Sequence, residues 1–580
     1  MMHRTAIPTS QLKAIPAWPI LAACAAAAFF PAFQGTILSW DDQTYLADSA
    51  IQSTSCFWER LGWIFSSSYF GNYNPLHRVG YWIQLSLWGR DPAPLHAVSV
   101  ALHVANVLLV HALVRRLNFT VPVAFLTALL FAVHPSRAEV VAWISAQKDL
   151  GSTSLALIAL CMYAPFLTGR PSRPIARHLA VAVFFLLALL YKSMMVTLPL
   201  VLFGLDLAWR RPPRRAFIEK LPLLAISAAF SLWTIDAAPR VGPVGGSWES
   251  HTATMLKAPW AYLERILWPL DYSARWWIAR EGGALSSLSL AGLCCLLGGA
   301  VLLIIMLRSP NRRSAILWLW WPAACILPVS NLLPIPIEVA DRYLYLALLG
   351  PFLAAASWCG GSGTASAARP LGCLAAAVLF ALLSWRHAGA FRDAETVWRV
   401  SLEAQPDNPV ARLHLANELL ASDRPSEALS LLGALHRDVL DRQECMVARA
   451  EALELLGRSM EADAELDRAL AEGLRERLRP KTAVAGARRL TRKGAFEKAH
   501  EILSRCSPRW SCEEKEIVDA HAEVSLAAGD QAGYLRWNAR QLEASPFSLV
   551  LWNNREMVAR RLGLSEEAAR CAERFEELRG

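Results

Sequence analysis

The chain has 580 residues, with 58 Lys and Arg against 49 Asp and Glu, a net charge of +9 and 54% apolar residues. That length is too great for one hydrophobic core, so two or more domains are expected. The composition is split, apolar runs before residue 391 and Glu-, Arg- and Ala-rich sequence after it. The basic excess collects in turns between the apolar runs, so it calls for no nucleic-acid partner.

A membrane span needs about 20 apolar residues. The first part supplies eleven such runs, near 16–38, 95–114, 121–134, 150–168, 178–191, 193–209, 219–236, 286–307, 314–330, 343–358 and 371–388. Basic residues occupy alternate turns: Arg115 and Arg116; Arg170, Arg173 and Arg177; Arg210, Arg211, Arg214 and Arg215; Arg308, Arg312 and Arg313; Arg369. The positive-inside rule makes those turns cytoplasmic. The N-terminus (His3, Arg4, Lys13) is then inside, and the C-terminal part is outside if the span count is odd. Leu21-Ala22-Ala23-Cys24 has the form of a lipoprotein cleavage box, but the apolar run continues past Cys24 and reads as an uncleaved span.

The first outer loop, 39–94, opens with Trp40-Asp41-Asp42 and is dense in aromatic residues, which predicts short interfacial helices. Two adjacent carboxylates at a membrane surface repel each other and gain nothing from lipid. The bland reading of Asp41 and Asp42 is a helix N-cap with a solvated neighbour. Their pairing between Trp40 and Tyr45, at the mouth of a span, favours a ligand, metal or proton site instead. A like charge nearby raises a carboxylate pKa, which suits a general base. His77 and Arg78 are further polar residues on the same face.

His134-Pro135-Ser136-Arg137-Ala138-Glu139 follows the third run on the outer side. Proline ends a helix and leaves polar groups at its terminus. His134 and Glu139 can orient substrate or simply cap and solvate a helix end, and the residues leave both open. Lys148-Asp149, at the start of the next run, reads as an ion pair. Lys192 stands alone between apolar runs, either snorkelling or neutralising a phosphate. Residues 258–270 are apolar but interrupted by Glu264 and Arg265, and are assigned to the interface. Asp341-Arg342-Tyr343-Leu344-Tyr345 opens the tenth run; Arg342 and Tyr345 favour phosphate recognition over an aromatic belt with an ion pair. Asp206 and Asp236 are the only charges near mid-membrane of the kind a transporter uses, and both fall at predicted helix ends.

The C-terminal part carries an internal repeat. Asp423, Gly457, Gly494, Gly529 and Gly563 follow at intervals of 34, 37, 35 and 34 residues. Five positions after each stands Ala428, Ala462, Ala499, Tyr534 or Ala568. A helical pair of about 34 residues with a small residue at the crossing is the tetratricopeptide pattern, and such units stack into a superhelix with a concave groove. Residues 394–406 read as the second helix of an incomplete first unit. The twelve cysteines form no Cys-x-x-Cys metal pattern. Cys506 and Cys512 are a disulfide or two core thiols, and the sequence leaves both open.

Trp40-Asp41-Asp42, the segment from Phe131 to Asp149, Lys192-Ser-Met-Met-Val-Thr-Leu-Pro, Ala340-Asp-Arg-Tyr-Leu-Tyr-Leu and the terminal repeats together resemble the transmembrane and tetratricopeptide-repeat-containing proteins of the GT-C glycosyltransferase superfamily. The resemblance implies an all-α chain: a polytopic transferase domain over 1–390, and extracytoplasmic repeats over 391–580. It implies transfer of a hexose, often mannose, from a polyprenyl-phosphate donor to an extracytoplasmic protein hydroxyl. It makes Asp41 or Asp42 the base of an inverting reaction. Arg342, Lys192 and Tyr345 would then meet the donor phosphate, and His134, Glu139, His77 and Arg78 the substrates. Arg137 stands where a His is frequent in the family. No metal is required by this scheme, and a divalent ion bridging Asp41 and Asp42 is compatible with it. The Ala- and Arg-rich composition suggests a bacterial inner membrane, an undecaprenyl-linked donor and periplasmic repeats. The rival readings are the same chemistry on a glycolipid or cell-wall polymer, and a non-enzymatic scaffold whose spans only anchor the repeats.

Overall fold

A computed structural model describes residues 16–52, 55–169, 172–237, 247–278, 286–309, 312–359, 368–433, 442–475, 477–506 and 511–580. Arg170 and the side chains of Asp236 and Cys512 lie outside the described residues. The described chain is helical from end to end, with one isolated β-bridge between Tyr69 and Asn72.

Six helices are long and apolar enough to cross a membrane: Pro92–Arg116, Ile144–Leu167, Pro174–Tyr191, Pro213–Ile235, Ser287–Leu307 and Arg369–Arg392. This is a multi-pass membrane protein. Val121–Val133 and Pro135–Ala142 together make a seventh candidate, bent by 58°. Pro135 supplies the break, because it lacks the N–H that would continue the helix. Ala17–Ala28, Ser193–Ala208 and Leu349–Cys359 are shorter apolar helices. The predicted run 314–330 is cut into Arg312–Ala315, Ile316–Trp320 and Trp321–Ile326, with Pro322 at the last junction. Each of the eleven predicted runs thus meets helix, but several are too short or broken to count as spans by length. The helix Ala17–Ala28 passes through Cys24 without interruption.

The first outer loop folds into Asp41–Leu46, Phe57–Ser66 and Pro75–Trp88, as its aromatic density led one to expect. Residues 258–270 belong mostly to a longer helix, Trp248–Leu267, packed on Ser287–Leu307. The two approach closely at Gly292, where a Cβ would sit 1.7 Å from the Leu256 carbonyl oxygen. Only glycine allows that approach.

After the short helix Ala394–Ala404 the chain forms five helical hairpins: Pro409–Ala421 with Pro425–Gly433, Arg442–Leu455 with Ser459–Arg475, Pro480–Arg492 with Phe496–Ser504, Ser511–Ala527 with Gln531–Ala544, and Leu549–Arg561 with Ser565–Arg579. The residues of the sequence period occupy the hairpin turns in the left-handed conformation: Asp423 at φ 55°, Gly457 at 74°, Gly494 at 73°, Gly529 at 73° and Gly563 at 72°. A left-handed residue ends the first helix of each pair, and glycine adopts it without strain. Ala428, Ala462, Ala499, Tyr534 and Ala568 are buried in the packed hairpins.

Both ends of this helical array return to the membrane part. At its start, Trp398 stacks near Trp40. At its end, Phe547 and Leu578 join a core formed by Tyr45, Leu46, Ile51, Ile64 and Trp82 of the first outer loop. Arg574 pairs with Glu59 at 2.5 Å, and the Ser55 hydroxyl donates to the Leu578 carbonyl at 2.5 Å.

Candidate active site

Asp41 and Asp42 open the helix Asp41–Leu46, and the structure separates their roles. Asp42 is fully buried. One of its oxygens accepts from the Leu38 N–H at 3.1 Å. The other accepts from the Ser145 N–H at 2.8 Å and from the Ser145 hydroxyl. Burial raises its carboxyl to about 6, against the pull of those hydrogen bonds. Asp42 is a clamp between the first outer loop and the bend after residue 142. Asp41 is half-buried and accepts no hydrogen bond among the described residues. Burial raises its carboxyl too, while the charges of Lys148, Arg342 and Arg275 act in the other direction. Asp41 is therefore the acid left available for proton transfer. Both Asp42 oxygens accept protein donors, whereas Asp41 has none among the described residues.

Lys148 and Asp149 do not pair with each other, contrary to the sequence reading. Neighbouring residues of a helix point about 100° apart. Asp149 instead pairs with Lys192 across two helices, and its buried second oxygen has no hydrogen-bond partner among the described residues. Burial brings the Lys192 ammonium down to about 8, with Asp149 opposing. The Lys148 ammonium lies 3.2 Å from the Tyr45 hydroxyl and 4.5 Å above the Tyr45 ring. Among the described residues it makes no ion pair within 4 Å. It feels Asp41 and Asp149 together with Arg342.

Arg342 is held by Glu139, which takes its backbone N–H at 2.9 Å and one guanidinium nitrogen. Its guanidinium lies over the Tyr343 and Trp143 rings at 5.1 and 5.7 Å. Glu139 thus acts on Arg342, so its expected place against substrate is corrected to a positioning one. Asp341 accepts from the Trp276 indole at 3.0 Å and faces Arg265 at 3.7 Å.

The structure turns three other expected site residues away. Tyr345 is buried, with its hydroxyl 2.8 Å from His103 and 3.3 Å from Asn106. Three positions beyond Arg342 in a tight helical turn, it faces the helix Pro92–Arg116 and serves bundle packing. His134 caps its own turn through Ser136 at 3.3 Å, with its ring between Phe352 and Phe380. Arg78 pairs with Asp48 at 2.7 Å and donates to Ser67 and Ile64, which fixes the first outer loop. Arg137 is spent on the carbonyls of Phe131 and Leu344 at 3.3 and 3.1 Å.

His77 stays at the site's edge. It packs against Tyr45, Tyr81 and Tyr191, and its Nε2 has no partner among the described residues. Burial and the charges of Lys148 and Lys192 lower its pKa, so the ring is neutral.

Sequence reasoning missed Arg275. It lies on an extended stretch between two helices, where no periodicity marks it, and it reaches Asp41 only through the fold. Glu139 takes one guanidinium nitrogen of Arg342 and Asp149 pairs with Lys192, while Lys148 and Arg275 make no ion pair within 4 Å among the described residues. No group of three or more His, Cys, Asp or Glu able to hold a metal occurs among the described residues. The arrangement can accept a proton at Asp41 and hold an anionic group against Lys148 and Arg342.

No family model matches the sequence. Over 93 residues the chain is 36% identical to the protein O-mannosyl-transferase TMTC1 of Mus musculus, covering 16% of this chain and 10% of that protein. Over 110 residues it is 30% identical to the protein O-mannosyl-transferase F38B6.6 of Caenorhabditis elegans, covering 18% and 16%. The chain's relatives are protein O-mannosyl-transferases. The match spans only a tenth to a sixth of the curated relatives' own length. It agrees with the family resemblance read from the motifs. Among solved structures, ArnT from Cupriavidus metallidurans bound to undecaprenyl phosphate aligns with a TM-score of 0.35 and 15% identity, over 82% of this chain and 80% of that one.

Proposed function

We propose that the protein is a GT-C-type membrane glycosyltransferase. It moves a hexose, mannose by analogy with its relatives, from a polyprenyl-phosphate donor to a protein hydroxyl on the extracytoplasmic side. The observation that carries this reading is the half-buried Asp41 carboxylate, which accepts no hydrogen bond among the described residues and lies within the electrostatic reach of Lys148, Arg342 and Arg275.

In this reading Asp41 takes the acceptor proton as its oxygen attacks the anomeric carbon from the face opposite the phosphate. The anomeric C–O bond breaks with its electron pair going to the phosphate, and the product has inverted configuration. Polyprenyl phosphate leaves against Lys148 and Arg342, with Lys192 behind them. Preorganised cations stabilise charge that develops in the transition state, and they cost no reorganisation at that moment. The lipid tail stays in the bilayer. The helical hairpins are tetratricopeptide repeats on the periplasmic side of a bacterial inner membrane, and their groove selects the acceptor.

The test is to incubate the detergent-solubilised protein with a radiolabelled polyprenyl-phosphate hexose and a Ser/Thr peptide. Label in the peptide supports the reading. Comparing glycan masses on envelope proteins and lipids from wild-type and deletion strains decides the acceptor, and a shift confined to lipids would sink the protein-hydroxyl version.

A further inference from the structure

The loop that carries Asp41 is held at three points by the start of the helical array. The Thr36 N–H donates to the Arg392 carbonyl at 3.0 Å. The Ser39 hydroxyl donates to Glu418. Trp40 stacks on Trp143 at 4.3 Å and meets Trp398 edge-on at 5.1 Å, and Trp398 in turn stacks on His414 at 4.3 Å.

A second segment, residues 271–278, is strapped to the same helices. The Ala274 N–H donates to the Ser401 hydroxyl at 3.0 Å. The Gln405 amide accepts from the Trp277 N–H at 2.9 Å and donates to the Trp277 carbonyl at 3.0 Å. The Asn408 amide donates to the Arg275 carbonyl at 2.8 Å. On its other side the strap reaches the Arg342 segment, through Trp276 to Asp341 at 3.0 Å and through Arg275 to the Pro336 carbonyl at 2.7 Å. Ser401 and Asn408 are fully buried, so these bonds are made away from water.

An independent acceptor-binding module needs only a tether. Here residues 392–418 hold the base-carrying loop and the strap at once. We propose that the first repeat is a structural part of the catalytic centre: it fixes the Asp41 loop and, through the strap, the segments that carry Arg275 and Arg342 relative to each other, which makes Arg275 a positioning residue. This rests on the transferase reading above. Burial raises the Asp41 carboxyl, and the charges of Lys148, Arg342 and Arg275 oppose that rise, Lys148 from the helix Gln147–Leu167, Arg342 from its own turn and Arg275 from the strap. The groups acting against these cations are Asp42 beside it and Tyr45 on the same helix. Small displacements of reacting groups cost large factors in rate, about 100-fold for 1 Å.

The experiment measures transfer by full-length protein from a polyprenyl-phosphate hexose to a Ser/Thr peptide across pH. Arg275→Gln is expected to lose about 10- to 100-fold in kcat with little change in donor KM. Its acidic limb should move to higher pH, because a cation facing Asp41 is gone. Arg275→Lys should recover most of the rate and the limb. Gln405→Ala, which removes both bonds to Trp277 and the one from Asn408 while leaving the Arg275 side chain unchanged, should reproduce the kcat loss of Arg275→Gln. Wild-type kcat in Gln405→Ala or Arg275→Gln overturns the proposal. So does an equal loss in the Gln and Lys variants with an unmoved acidic limb. Failure of the wild-type protein to transfer sugar would instead overturn the transferase reading.

Discussion

Asp41 and Asp42 are adjacent, yet their replacement should fail in different ways. Asp41 accepts no hydrogen bond among the described residues, so Asp41→Asn removes a base and little else. Loss of a positioned general base costs about 10²- to 10⁴-fold in rate, or about 3–5 kcal/mol of barrier. Asp41 makes no ion pair within 4 Å among the described residues, so the substitution orphans no partner and should change stability by less than about 1 kcal/mol. Asp42→Ala instead leaves three donors without an acceptor in a buried place: the Leu38 N–H, the Ser145 N–H and the Ser145 hydroxyl. An orphaned buried donor costs about 1–3 kcal/mol. After partial relaxation the variant should be destabilised by about 3–5 kcal/mol. The assay pairs peptide labelling with thermal melts followed by size-exclusion in detergent. Asp41→Asn should melt with the wild type and be nearly inactive, whereas Asp42→Ala should melt early. Wild-type turnover in Asp41→Asn, or an Asp42→Ala protein that melts normally and has lost turnover, would refute this division of roles.

Three further outcomes are expected. The folded-state pKa of Asp42 is raised from 3.8 to about 6, so its contribution to stability is full below 3.8 and lost as pH rises through about 6. That shift corresponds to about 3 kcal/mol, and wild-type melts should decline relative to Asp42→Asn between about pH 4 and pH 7. Glu139→Gln leaves the buried Arg342 guanidinium without its counter-charge, which costs about 3–5 kcal/mol and should appear as a lower melting temperature together with weaker donor binding. Tyr345→Phe loses a hydroxyl that serves His103 and Asn106, so it should cost about 1 kcal/mol of stability and leave donor KM unchanged. A raised KM would return Tyr345 to the phosphate site.

Much of the architecture is legible in the residues because it is local. Runs of apolar residues announce helices, and the period through Asp423, Gly457, Gly494, Gly529 and Gly563 marks the hairpin turns. Prolines such as Pro135 and Pro322 also explain why some runs fall short of a span. The site is legible only in outline. Motif residues gather near it, but the motif does not say which carboxylate is clamped or which cation is spoken for.

By itself, the sequence determined the helical class, the period of the C-terminal hairpins and a short list of charged residues near helix ends. The tertiary structure decided their assignments. It gave Asp42 to Ser145, Asp149 to Lys192 and Glu139 to Arg342, and it turned Tyr345, His134 and Arg78 into packing and loop supports. It also strapped the Arg275 segment between Pro336 and Asn408, far apart along the chain. The physical reason is that a helix's existence depends on neighbours in sequence. Whether a buried charge is free or committed depends on partners that only folding brings within hydrogen-bonding distance.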